Sequence, residues 1–293
     1  MTLPTTKQTP QTDPSRLTIC LYGDNGIGKT TWVASTGDGT LFLATEPGQA
    51  AVEGYVLPIK TWEDFATACA EIKAGGHPFT TIAVDTITNL YRMACDFHCR
   101  QAGTDHISKI PGFQRGHDLV NTSMYNYLRG LAQLPYGLIL VAHTKEKTIK
   151  PDNGAEYIRM VADLPDGIRK RVLGLCDLVL YLTMQRMDPA GDGEGATYRR
   201  VIRTQPSWYC EARDRFNVLP DPTVMPLNPA DNYREFLKYF SASNRRPGAQ
   251  SISHNTTATA AMNAKTTTAA AAAAAAAATS PTKNDKNTAK TQS

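Results

Sequence analysis

The sequence predicts an α/β fold, with a mainly parallel central sheet, helices on both faces and antiparallel strands at its C-terminal edge. Two observations point there first. Short, β-rich apolar runs alternate with longer stretches whose apolar residues recur at helical spacing. The runs themselves are almost uninterrupted, as expected of strands covered on both faces. A third observation is that successive runs stop at a glycine-rich turn, a glutamate, an aspartate and a histidine, which gathers polar groups at the carboxyl edge where such folds bind ligands.

Residues 17–22 (LTICLY) read as a buried strand feeding a glycine-rich loop, and a helix starts at 30–35. A second strand, 41–44, ends at Glu46, Pro47 and Gly48. Phe65, Ala68, Cys69 and Ile72 mark a helix over 62–74, stopped by Gly75 and Gly76. The strand 81–84 (TIAV) ends at Asp85, and a helix follows to about Arg100. Residues 101–117 read as a polar loop, 118–134 as a helix, and 137–142 (GLILVA) as a strand ending at His143. A long charged stretch over 145–171 precedes a strand at 175–183. After a turn at 191–195, residues 198–203 and 207–212 read as a closing antiparallel pair.

Of the 293 residues, 16–240 form the expected folded domain. Residues 1–15, rich in Thr, Pro and Gln, read as a flexible end. From Ser241 the chain has no aromatic residue and includes an alanine run at 269–278, a composition too poor in bulky apolar groups to offset its ordering entropy. That tail holds six Lys or Arg against Asp285 alone, so it carries the whole of the net +4. It reads as a solubilising tail or a weak, salt-dependent nucleic-acid contact. The six cysteines have no framework spacing, and no secretory signal or membrane-spanning run is recognised, so a reducing cytoplasm is expected. Cys95, His98, Cys99 and His106 could complete a zinc tetrahedron. The competing reading is favoured: an inward-facing thiol on a helix is a small apolar residue.

Gly23, Asp24, Asn25, Gly26, Ile27, Gly28, Lys29 and Thr30 complete the pattern G-x-x-x-x-G-K-[ST] between a predicted strand and a predicted helix. Backbone N–H groups of such a loop turn inward around a β-phosphate. Lys29 is placed for the β- and γ-phosphates, Thr30 for Mg²⁺, and Thr31 closes the binding segment. ATP and Mg²⁺ are therefore the expected ligands. Asp85 is the expected second holder of the metal, acting through water, and its other reading is a helix cap. Glu46, expected beside the phosphate loop, is the candidate that orients water for attack on the γ-phosphate.

The order of phosphate loop, strand with terminal Glu and strand with terminal Asp resembles RecA-type recombinases and DnaB-type helicases. The segment Thr204-Gln205-Pro206, with Tyr209-Cys210-Glu211-Ala212-Arg213-Asp214-Arg215 and Leu219-Pro220, is similar to phage nucleotide-binding proteins, including RecA-like single-strand annealing ATPases of the Sak group. The resemblance covers about 16–239. It implies a RecA-like P-loop ATPase in which His143 senses the γ-phosphate, although the recombinases usually have an amide there. It also implies self-association into a ring or filament, with Arg213 and Arg215 reaching the neighbouring subunit's ATP; an intrachain ion pair with Asp214 or Glu211 is the competing reading. By position, 101–117 and 145–171 correspond to DNA-binding loops, with Phe113 and Tyr157 able to stack on bases. Single-stranded DNA, and with it a single-strand-binding protein, are the implied partners. DNA recombination or annealing is the implied role, with a DnaB-like motor or loader, or a switch acting on a protein partner, as alternatives.

Overall fold

The computed structural model describes residues 3, 5–6, 13–49, 52–112, 115–152, 154–187 and 197–243. The expected tail from 244 onward, most of the expected flexible start, the turn at 191–195 and Phe113 lie outside them.

Along the chain run β1 (Thr18–Gly23), α1 (Lys29–Ala34), β2 (Thr40–Ala44), β3 (Tyr55–Pro58), α2 (Trp62–Ala74), β4 (Thr81–Asp85) and α3 (Ile87–Gln101). They are followed by α4 (Arg115–Ala132), β5 (Gly137–Ile149), β6 (Tyr157–Ala162), α5 (Asp166–Leu175), β7 (Leu178–Arg186), β8 (Tyr198–Arg203), β9 (Arg213–Asp214), β10 (Thr223–Val224) and α6 (Asn232–Ser243). One sheet joins the strands in the order β10-β8-β7-β1-β5-β4-β2-β3, with β6 on β5 and β9 on β7. From β7 through to β3 every neighbouring pair is parallel; β6, β8, β9 and β10 pair antiparallel. The predicted layout, a mainly parallel sheet with an antiparallel C-terminal edge, is the observed one.

β1 shows why the strands read as continuous apolar runs. Its side chains alternate, Cys20 and Tyr22 entering one core, Ile19 and Leu21 the other. The first core is roofed by Phe65 and Ile72 of α2, Leu90 of α3, Met124 and Leu128 of α4, and Ile168 of α5. The second is closed by Trp32 of α1 against Phe236 of α6, their rings edge-on at 5.5 Å. Each such buried side chain contributes about 1.5–3 kcal/mol. α2 has the predicted limits because Thr61 and Asp64 form a reciprocal capping box at its start and Gly75, at φ +73°, ends it.

Three expectations need correction. The polar loop after α3 is shorter than 101–117, since α4 starts at Arg115 and Ile107 and Ile110 anchor the connection in the first core. The charged stretch 145–171 is a hairpin and a helix: β5 continues to Ile149, and Lys145, Lys147 and Ile149 pair with Val161, Arg159 and Tyr157 of β6. Residues 207–212 are not the partner of β8, which pairs with β7 and β10. Pro206 removes a ladder donor, and the segment docks on β6 instead, Met160 N donating to Tyr209 O at 2.6 Å. The edge strand β3 and the helix α6 were not anticipated.

Cys99 lies in the first core, and Cys95 packs against it with its thiol pushed up to about 11 by burial, which disfavours the thiolate a zinc site needs. Among the described residues, no three His, Cys, Asp or Glu are grouped to hold a metal, and no helix is long and apolar enough to cross a membrane.

Candidate nucleotide-binding site

The parallel register aligns the strand ends that carry the polar groups. Gly23 at the end of β1 faces His143 on β5, and Asp85 at the end of β4 faces both Val141 on β5 and Ala44 on β2. β2 is thus separated from β1 by β5 and β4 and is not its neighbour. Glu46, two residues past Ala44, reaches the site across the ends of β4 and β5.

A cleft of about 480 Å³ lies there, lined by Asn25, Gly26, Gly28, Lys29, Thr30 and Thr31 from the loop and helix start, and by Glu46, Gly48, Asp85 and His143 from the facing strand ends. Asp24 exposes its side chain, and Ile27 tucks against the second core. The loop requires its glycines. Gly26 and Gly28 have φ of +74° and +104°, and a Cβ on Gly23 would come within 2.5 Å of Leu182 O.

Lys29 is buried, and its Nζ donates to Gly23 O at 2.9 Å and Asp24 O at 2.8 Å. Desolvation lowers its pKa, with Asp85, Glu46 and Asp24 opposing. Thr30 Oγ1 donates to Asp85 Oδ2 at 2.8 Å. Gln49, which no spacing rule singles out, also donates to Asp85 Oδ2, at 3.3 Å. Asp85 is only 2% exposed, and burial, with the nearby Glu46 charge adding to it, raises its pKa against the Thr30 and Gln49 hydrogen bonds. Behind it, Thr45 Oγ1 donates to Thr86 O and accepts from Thr86 N, while Asn89 donates to Thr45 O, fixing the β2 and β4 ends together.

A hydroxyl and a carboxylate this close are hard oxygen donors of the kind Mg²⁺ takes, and the glycine-lined cradle suits a phosphate chain, so the residues present fit Mg²⁺ with ATP. Glu46 and His143 form a second pair, with His143 Nε2 3.2 Å from the carboxylate. Nδ1 of the same ring is buried without a hydrogen-bond partner among the described residues.

The depressed tendency of Asp85 to ionise has a testable consequence. A carboxyl group whose folded pKa lies above its unfolded one loses stabilisation as pH rises from the ordinary carboxylate range through the folded value. Asp85→Asn, which can still accept from Thr30, is therefore expected to raise the melting temperature at neutral pH, the gain fading as pH falls toward that range. A melting temperature lowered at pH 7 would contradict this.

Arg213 and Arg215 lie elsewhere. β9 pairs with Leu178 and Val179, at the end of β7 away from the phosphate loop. Arg213 Nη2 donates to the carbonyls of Leu173 and Cys176, and Arg215 pairs with Asp177 at 3.2 Å and donates to Gly174 O. The acids named for them from sequence are used otherwise: Glu211 meets the buried Arg169, and Asp214 accepts from three backbone N–H groups at 216, 218 and 219.

No curated protein matches the chain. Among solved structures, a KaiC-like protein from the hyperthermophilic archaeon Pyrococcus horikoshii OT3 is similar, at 13% identity and a TM-score of 0.41, over 74% of this chain and 88% of that one. The family model for the AAA domain matches residues 15–216, a span running from just before β1 through β9 and holding the loop, both carboxylates and His143. The chain belongs to the AAA domain family.

Proposed function

We propose that this protein is a magnesium-dependent, RecA-like ATPase that binds single-stranded DNA and supports DNA annealing or recombination. The observation that carries the ATPase reading is the 2.8 Å approach of Thr30 to Asp85 beside Lys29, with Glu46 and His143 on the same cleft wall. Thr30 and Asp85 would hold Mg²⁺, which when bound would neutralise charge on the phosphates. Lys29, now held by two loop carbonyls, supplies a mobile cation for the phosphate chain. Glu46 accepts a proton from, and so aims, the attacking water, while His143 holds the Glu46 carboxylate in place.

The DNA reading draws on a surface beside the β5–β6 hairpin. Trp208 is 67% exposed and meets the Tyr157 ring edge-on at 6.4 Å. The Arg159 guanidinium lies 5.6 Å from the Tyr157 ring centre, and its Nε donates to Trp208 O. Rings with a cation beside them are the elements on which unpaired bases stack. The hairpin lysines contribute less than their number suggests, because Lys145, Lys147 and Lys150 each meet a carboxylate, of Asp163, Asp166 and Glu156. That neutralised hairpin favours the second reading, an ATP-driven switch acting on a protein partner.

ATP turnover with and without single-stranded DNA separates the two. Severalfold stimulation in the intact chain, lost in Trp208→Ala, is expected. Turnover indifferent to DNA would leave the protein-partner switch as the better reading.

A further inference from the structure

β8 runs antiparallel to β7, so its first residues lie at the same edge of the sheet as the phosphate loop. Ile202 enters the second core with Trp32 of α1. Arg200, two residues closer to that edge, therefore shares the α1 face of the sheet. Its guanidinium reaches the loop: a Cβ built on Gly28 would lie 2.8 Å from Arg200 Nη1. The approach comes from the β7 side of β1, whereas Asp85, Glu46 and His143 stand on the β5 side.

Among the described residues, the charge of Arg200 is not matched. Arg203, on the same strand, is clamped by Asp221 at 2.6 Å and donates to Tyr209. Arg200 is half-buried, and among the described residues its side chain has neither a carboxylate partner nor a hydrogen bond. A guanidinium stays charged at any relevant pH, and holding it partly out of water without a counter-charge is unfavourable. An anion at the phosphate loop would remove that imbalance.

We infer that Arg200 is a nucleotide-binding residue, holding the phosphate chain from the flank of the loop away from Glu46 and His143. The inference rests on the reading above that the loop takes ATP. Contact on that flank is made in the ground state and the transition state alike, so it lowers KM and leaves kcat unchanged. Arg200 binds the substrate directly and takes no part in the chemical step.

The test is calorimetric titration of the full chain with Mg·ATP and with Mg·ADP, paired with steady-state turnover. Arg200→Met keeps the aliphatic stem, and Arg200→Lys keeps the charge but not the planar fork. The Met variant is expected to bind both nucleotides about tenfold more weakly, the loss of one charge-assisted hydrogen bond. Its turnover at saturation should stay within about twofold of the parent, and the Lys variant should fall between them. If the Met variant misfolds, as its melting curve would show, the Lys variant alone carries the test. Parental affinity in whichever folded variant is measured overturns the inference, as does a fall in kcat at unchanged KM. If the parent chain itself takes up no nucleotide, the underlying reading fails; if the parent binds, Lys29→Ala does not, and Arg200→Met matches the parent, only the inference fails.

Discussion

Lys29→Ala is expected to weaken Mg·ATP binding by about 100-fold or more, the loss of two charge-assisted contacts at about 1.5–3 kcal/mol each. The structure explains why so large an effect should come with little change in stability. Lys29 Nζ is held by the carbonyls of Gly23 and Asp24 within 2.9 Å, and its substitution forfeits both hydrogen bonds. It also removes a buried cation whose desolvation already lowers its pKa. The two changes oppose each other, so the melting temperature should move by no more than a few degrees, while nucleotide affinity collapses. Calorimetry and thermal melting on the same samples check both halves. A variant that binds ATP as the parent does would remove Lys29 from the phosphate site.

Glu46→Gln is expected to behave differently, reducing turnover by about 10²–10⁴ while leaving ATP affinity nearly unchanged. Glu46 reaches the cleft from the end of β2, where its carboxylate pairs with His143 at 3.2 Å. An amide can keep that contact, yet it cannot accept a water proton. Asp85 cannot substitute for it, since its Oδ2 already accepts from Thr30 and Gln49 and its burial opposes ionisation. Asp85 is the last residue of β4 and Thr86 follows it, so β4 offers no second carboxylate. Single-turnover measurements with saturating Mg·ATP read the effect directly. Parental turnover in Glu46→Gln would mean that the water is aimed by another group.

How much of this was legible in the sequence follows from how local each signal is. The phosphate loop lies within eight consecutive residues, and its glycines, lysine and threonine declare themselves by spacing. Asp85 and His143 were legible for a related reason: each closes an uninterrupted apolar run, and in a parallel sheet all such ends lie on one edge. The neighbour relation of β1 and β2 was not legible, because strand order depends on which crossovers the helices make, and β4 and β5 enter between them. Lys145 to Ile149 alternate in a period of two, but with charges on both faces the pattern lacks the apolar contrast that marks a strand. β3 is four residues long and exposed throughout, so it offered no burial pattern to read. α6 was readable in principle: Tyr233, Phe236 and Phe240 recur at helical spacing and pack on Trp32 and on each other. Gln49 and Arg200 could not have been found, since the first sits in an irregular loop and the second meets Gly28 only through the pairing of β8 with β7.

The central claim is that the loop between β1 and α1 receives the phosphates of ATP, with Mg²⁺ held between Thr30 and Asp85. It is tested most directly by titrating the intact, folded chain with ATP in the presence of Mg²⁺ and again with the metal chelated. Saturable uptake of one nucleotide per chain with Mg²⁺, and a marked weakening on chelation, are expected. Folded protein that releases no heat with Mg·ATP, or binds ATP equally well with the metal removed, would contradict it.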